Sequence, residues 1–454
     1  MRNNHSMSLN HARRRSTVLA RLAIAAAFVI TAACKDFLTA ENPGAIEETD
    51  LNDAVYLGLL VNGVIGEFQP HYAEGAMWSG MFADELRNHH NFFENPLIDQ
   101  RRVTPENGTI SFFYFTPLNR ARFMADSVAG RLRVILGDSA TQDVRLARVL
   151  AYGGYTYILM GENLCVGTVD LSRPYTPAEL FGFANVRFAE AIQVAAAAKA
   201  RAQAIAPATT ASTAIISAAD SITNFARIGA ARAYLDLNNK PKAIEFATPV
   251  PTGFEFRAYF TLSNTNRMWT FMPPTGEKWF SVNGTPNLNL KDPRVPHPTT
   301  TERVSSGVQA FVPNSPSAFN TYDGTITGAE FDRAGYMRVA SHLEARYIIA
   351  ESNGPTAASI AFVESRRLIQ PAPQNTPVTT AANFFANLRE QRRRDFYLDY
   401  HRLGDLRRYK EFYGIDEFQK GAYPGTTTGE SYGDQECLPL NLAEITGNPN
   451  VPKP

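Results

Sequence analysis

The chain has 454 residues, with 44 Lys and Arg against 44 Asp and Glu and only three cysteines, so it can bury one large core or two to three smaller ones. Removing everything before Cys34 takes away five arginines and no acid, which leaves a mildly acidic chain and excludes the basic footprint of a nucleic-acid partner. Three cysteines are too few for a disulfide-stapled module.

Arg13 to Arg15 and Arg21 precede an apolar stretch from Leu22 to Ile30, followed by the small residues Thr31, Ala32 and Ala33. That order is a secretory signal, and its apolar part is far shorter than the roughly 20 residues of a permanent membrane span. Residues 1–33 are therefore expected to be removed, leaving 34–454 as the mature chain. Thr31-Ala32-Ala33-Cys34 resembles a bacterial lipobox with threonine in place of the usual leucine, which makes Cys34 the expected lipid-anchor residue. Lys35-Asp36 resembles the charged tag of lipoproteins that face the cell exterior.

From about Asp50 helical periodicity alternates with polar loops, so the fold class is mainly α. The first helix is expected over 53–66, with Thr49 and Asp50 as caps and Val55, Leu59 and Leu60 on one face. A second is expected near 112–136. Arg145 to Met160 and Asn224 to Leu237 share a rhythm of small residues and tyrosine, namely Ala147, Ala151, Tyr155 and Ala226, Ala230, Tyr234. The second is followed by the turn Asn238 to Pro241 and by Ala243 and Ala247, the geometry of a degenerate tetratricopeptide-type hairpin. Between these segments, 195–217 is Ala- and Thr-rich and reads as a helix end running into a mobile, solvated loop.

A loop-rich insert spans about 259–335, and a helix is expected to resume at Tyr336, with Tyr336, Ala340, Leu343, Tyr347 and Ala350 along one face, ending before Asn353-Gly354-Pro355. The stretch 383–410 reads as a helix with acids and bases three and four apart. Composition alone favours a solvated charged helix there. Cys165 and Cys437 have no metal-ligand spacing and are read as buried, unpaired thiols, a disulfide between them being the alternative.

The residue order in 383–410 changes the weighting. Gln391, Arg392, Arg394, Asp395, Phe396, then Asp399, Arg402, Asp405-Leu406 and Arg408 resemble the C-terminal signature of the SusD/RagB family, Glu-Arg-x-Arg-Glu-Phe, an acid with glycine, then Arg and Asp-Leu-x-Arg. Gln391 replaces the first Glu, and Tyr400 stands where glycine is usual. Further resemblances lie at Cys34 to Leu38, Leu118 to Ala121, Asp292-Pro293-Arg294, Arg338, Leu343, Ala350 and Glu351, Leu438 to Leu440, Glu444-Ile445 and Asn448 to Asn450. They run in order through nearly the whole mature chain. The resemblance implies a SusD-like, mainly helical outer-membrane lipoprotein that captures a nutrient over a SusC-like TonB-dependent barrel. It implies a scaffold role for Arg394, Arg402, Asp405 and Arg408.

For catalysis, no HExxH, P-loop, nucleophile elbow or dinucleotide fingerprint is present, and His89-His90 is too close a pair for a usual zinc site. No enzyme activity, cofactor or metal is expected. For binding, sugars need flat aromatic faces and hydrogen-bonding groups. Two stretches offer that mixture, giving as candidate ligand-binding residues Trp78, Asp84, Glu85, Arg87, Asn88, Asn91, Phe92 and Phe93 in one and Trp269 and Trp279 in the other. The expected ligand is an oligosaccharide, with peptide as the alternative. A surface hydrolase and a purely structural envelope protein are the competing classes.

Overall fold

The computed structural model describes residues 50–90, 92–271, 279–282, 284–288, 290, 292–295, 302–303, 309–310, 333–369, 376–424 and 429–453. Residues 1–33, read as a signal segment, Cys34 and the residues after it up to Thr49, and Asn91 lie outside the described residues. Asp50–Asn52 is a 3₁₀ turn at the end of a short N-terminal unit, and everything from Ala54 onward forms a second unit.

The first long helix, α1, runs Leu57–Ala83, starting later and ending much later than the sequence periodicity suggests. Its expected face is also corrected: Leu60 is buried, whereas Val55 and Leu59 point to solvent. From His71 to Ala83 every residue is buried. A helix that is enclosed on all sides carries no one-sided pattern to read. The short α2 (Asn95–Asp99) follows, then α3 (Thr116–Leu136), entered through a π-helical turn at Ser111–Phe115.

The helices α4 (Val144–Asn163), α5 (Pro177–Gln203) and α6 (Thr210–Asp236) pack in sequence. Small residues set their spacing. A Cβ on Gly154 or Gly229 would strike the Phe188 ring, and one on Gly161 would strike Phe181, so these glycines let the backbones approach. Ala147, Ala151, Tyr155, Ala226 and Ala230 are all buried at these contacts. The Ala-rich segment read as a loop is mostly helix: α5 continues to Gln203, and Thr209 caps α6 through a reciprocal bond with Ser212. The hairpin expected after Asp236 is present. Asn238 turns with positive φ, Asn239 caps α7 (Lys240–Ala247), and Tyr234 stacks on Phe246.

The insert begins and ends on one antiparallel pair, β2 (Glu255–Tyr259) with β6 (Tyr336–Ser341). This corrects the helix expected to resume at Tyr336. In 336–339 the side chains alternate, Met337 and Val339 buried and Tyr336 and Arg338 half-buried, and only at His342 does helix α9 (His342–Asn353) begin, capped by Ser341. Within the insert lie helix α8 (Arg267–Phe271) and the two-residue strands β3 (Phe280–Ser281), β4 (Glu302–Arg303) and β5 (Gln309–Ala310), β4 pairing with β5.

After α10 (Ala357–Arg367), the charged stretch forms two helices instead of one, α11 (Phe384–Asp395) and α12 (Arg402–Tyr413). The connection carries Leu398 and Tyr400 at φ of 60° and 65°, the left-handed region that favours glycine. Tyr400, at the position where the family pattern has glycine, thus occupies a backbone site that suits glycine. Its ring fits because Gly75 of α1 has no side chain: a Cβ there would fall inside the phenol ring.

The charges of this stretch are buried and joined to the rest of the fold. Arg402 grips Asp84 at the end of α1 at 2.6 Å, Arg392 and Arg408 each hold Asp405 at 2.7 Å, and Arg408 also reaches Glu351 at 2.8 Å and Asp236 at 2.9 Å. Burial raises the Asp405 pKa, but Arg392 and Arg408 outweigh it and hold the group well below the ordinary carboxylate value. The Asp292-Pro293-Arg294 loop closes on the same array, with Asp292 on Arg394 at 3.2 Å and Arg294 on Asp395 at 3.1 Å. Arg338 of β6 pairs with Asp399. The scaffold role expected of Arg394, Arg402, Asp405 and Arg408 is what these contacts describe.

Cys165, just beyond α4, and Cys437 form a disulfide, correcting the reading as unpaired thiols. The adjacent Leu164 and Leu438 pair in a single parallel bridge, which brings two cysteines separated by 272 residues side by side. The chain then ends in α13 (Leu442–Gly447), capped by Asn441.

Candidate ligand-binding site

The two aromatic and polar stretches singled out in the sequence meet in space. The two-residue strand β1 (Arg87–Asn88) pairs antiparallel with β3, Arg87 opposite Ser281 and Asn88 opposite Phe280. The next residue continues the pairing: the His89 N–H donates to the Trp279 carbonyl at 2.6 Å. His89 Nε2 lies 2.6 Å from the Ser281 hydroxyl, and burial, with the Arg87 charge adding to it, lowers the His89 pKa to about 4. A neutral imidazole is therefore present at pH 7.

Around this small pair the aromatic rings form a continuous strip. His90 lies over Trp279 with ring centroids 3.9 Å apart, and Trp279 contacts Phe271 at 4.4 Å. Phe271 meets Phe113 at 6.2 Å, and Phe113 meets Phe112 at 4.8 Å. At the other end His90 approaches Phe92, which packs on Phe93 at 5.5 Å. Phe92 is 47% exposed, Phe93 75% and Phe112 71%, so the strip is open at both ends. Exposed apolar rings of this size are candidates for a recognition surface.

The candidate residues divide accordingly. Trp78 is fully buried beneath the strip, stacked on Phe113 and edge-on to Phe280. Asp84 is the partner of Arg402. Glu85 accepts the Leu398 N–H at 3.0 Å from inside the core, and burial, opposed in part by that bond, raises its pKa to about 8. Arg87 lies over the Tyr423 ring at 4.1 Å and 3.4 Å from Asp99. The side chains of these four are already enclosed or paired by the fold. Asn88 is half-buried, with its amide on the His90 backbone. Phe92 and Phe93 remain at the surface, Trp279 is half-buried, and Trp269 lies on α8. The strip also includes His90, Phe112 and Phe113, which the sequence did not single out for binding; the run Phe112-Phe113-Tyr114-Phe115 was the available signal.

Two indole N–H groups, of Trp78 and Trp279, have no acceptor among the described residues. Also among the described residues, no cluster of three or more His, Cys, Asp or Glu side chains is placed to hold a metal ion, and no helix is long and apolar enough to cross a membrane.

No protein-family model matches the sequence, and no curated protein matches it by sequence. The fold does have solved counterparts. A SusD superfamily protein from Bacteroides vulgatus superposes with a TM-score of 0.60 at 13% identity, over 88% of this chain and 98% of that one. One from Bacteroides fragilis gives 0.60 at 11% identity, over 88% and 99%. A laminarin-binding SusD-like protein gives 0.59 at 13% identity, over 88% and 98%. The protein therefore has a mainly helical, SusD-like fold.

Proposed function

We propose that this protein is a surface lipoprotein, anchored through Cys34, that binds a glycan and delivers it to a SusC-like TonB-dependent transporter in the outer membrane. The observation that carries the binding reading is the open strip Phe93, Phe92, His90, Trp279, whose flat faces suit the C–H faces of sugar rings. The fold supports it, since one protein of the same fold binds laminarin. The Cys165–Cys437 disulfide supports export, because such bonds persist outside the reducing cytoplasm. Against catalysis stands the fate of Asp84 and Glu85, both engaged inside the core.

Affinity electrophoresis of the purified mature chain against neutral polysaccharides, laminarin among them, with analysis for released sugars, tests this reading. Retardation without product is the expected result. Product formation would establish a hydrolase, and retention of peptides with no polysaccharide bound would move the ligand to the peptide class. In cells, Cys34→Ser is expected to release the protein from membranes; continued membrane association would overturn the anchor.

A further inference from the structure

A cleft of about 750 Å³ lies apart from the aromatic strip, between the residues after α2, the loop that follows α12 and the segment leading to Cys437. Its volume is that of an ordinary small-ligand pocket. Its walls are fixed to one another. The Gly433 N–H donates to the Gln100 carbonyl at 2.7 Å, and the Gln435 amide both accepts from the Val103 N–H at 2.6 Å and donates to its carbonyl at 2.7 Å. Gly433 is required here, since a Cβ would collide with the Arg101 carbonyl.

The charge in this cleft is incompletely matched. Four cations, Arg101, Arg102, Lys410 and Lys420, face three carboxylates, Asp416, Asp434 and Glu436. Asp416 is taken by both lysines, at 3.0 Å from Lys410 and 2.7 Å from Lys420, and Glu436 is taken by Lys410. Arg101 is buried, sits at φ 55°, and gives its two terminal nitrogens to the backbone carbonyls of Gln435 and Gln419. Its Nε and the Tyr432 hydroxyl have no partner among the described residues. Burial lowers the Arg101 pKa, only partly offset by Asp416 and Glu436, so its charge is under-compensated where it stands. Arg102, next in the chain, is exposed and has no ion-pair partner among the described residues. Phe418, itself buried, backs the Arg101 guanidinium at 5.0 Å.

We propose that this cleft is a second binding site, which takes the carboxylate of a uronic-acid unit in an oligosaccharide, with Arg102 making the direct contact and Arg101 supplying fixed positive charge behind it. Guanidinium groups suit a planar carboxylate, and the half-buried Tyr432 ring offers a partial face to the sugar that carries it. The proposal extends the glycan reading to a charged sugar and stands on residues separate from the strip.

The test is calorimetric titration of the mature chain with oligogalacturonate, with an uncharged galacto-oligosaccharide of the same length, and with tri-glutamate. The wild type is expected to bind oligogalacturonate most tightly, with the preference falling as salt rises. Arg102→Ala should weaken that binding about fivefold, the size of one partly exposed ion pair, and leave the uncharged oligomer unaffected. Arg102→Lys should restore most of it. The side chain is exposed, so neither variant threatens the fold. Equal affinity for the charged and uncharged oligomers, or an equal loss for both in Arg102→Ala, would overturn the second site while leaving the strip intact. Oligogalacturonate binding that depends on Arg102, with no uncharged oligomer bound, would support the cleft and count against the strip. Arg102-dependent binding of tri-glutamate as tight as that of oligogalacturonate would overturn the saccharide assignment.

Discussion

Replacing Asp84 by asparagine removes the carboxylate that holds the Arg402 guanidinium through two hydrogen bonds, at 2.7 and 2.6 Å, with both side chains 4% exposed. Asparagine keeps the shape and one acceptor but leaves a buried cation without its counter-charge. Breaking such a pair from one side costs about 3 to 5 kcal/mol. Glu417, 3.5 Å from Arg402 and more exposed, supplies some remaining compensation, which places the expected loss near the lower end, ~3 kcal/mol. Urea unfolding followed by circular dichroism measures it through the midpoint at unchanged slope. The paired change Asp84→Leu with Arg402→Met should recover most of the loss, since an apolar pair of similar volume is often no worse than a buried ion pair. If Asp84→Asn left the midpoint unchanged while abolishing polysaccharide retention, the scaffold assignment of Asp84 would be wrong and its place among the ligand contacts restored.

Reducing the Cys165–Cys437 bond, or replacing both cysteines by serine, is expected to lower stability by ~3 kcal/mol, because the bond closes a very long loop in the unfolded chain; a reductant should shift the wild-type melt and not that of the double variant, and an unshifted wild type would contradict the pairing. Glu85 has a folded pKa of about 8 against an ordinary 4.5, so the folded state retains a proton that the unfolded chain releases, and its contribution to stability is full below about pH 4.5 and is lost as pH rises towards 8. Glu85→Gln keeps an acceptor for the Leu398 N–H and does not ionise; its melting temperature should gain on the wild type between pH 5 and pH 8, and a constant difference across that range would refute the raised pKa. Tyr400→Gly relieves a positive φ but empties the space above Gly75, and a net loss of stability is expected, since the cost of a cavity of aromatic size exceeds the ~1 kcal/mol of backbone relief; a more stable variant would show that the strain dominates.

Much of the architecture was legible because local spacing carries it. The alanine and tyrosine rhythm of α4 and α6, the turn at Asn238 and the order of charges around Arg392 to Arg408 each state a contact requirement within a few residues. Features that depend on distant partners were hidden. Tyr336 to Ser341 has residues at helical spacing as well as alternating burial, and only its pairing with Glu255 to Tyr259, across the whole insert, makes it a strand. The cysteine pair likewise becomes neighbours only through the Leu164–Leu438 bridge. At the candidate site composition picked out two stretches that the fold pairs, but could not separate their buried residues from their exposed ones. Trp78 and Asp84 have the residue types of a sugar site and the burial of a core, and the difference lies in whether α1 continues past Gly66, which sequence periodicity did not reveal.

The central claim, that the open aromatic strip holds the ligand, is tested most directly by titrating a retained neutral oligosaccharide into the wild type and into Phe92→Ala/Phe93→Ala. Both rings are exposed, so the variant should fold normally by circular dichroism. Losing two stacked faces at ~1 kcal/mol each predicts affinity weaker by about 30-fold. An affinity equal to that of the wild type, in a variant that folds, would contradict the account.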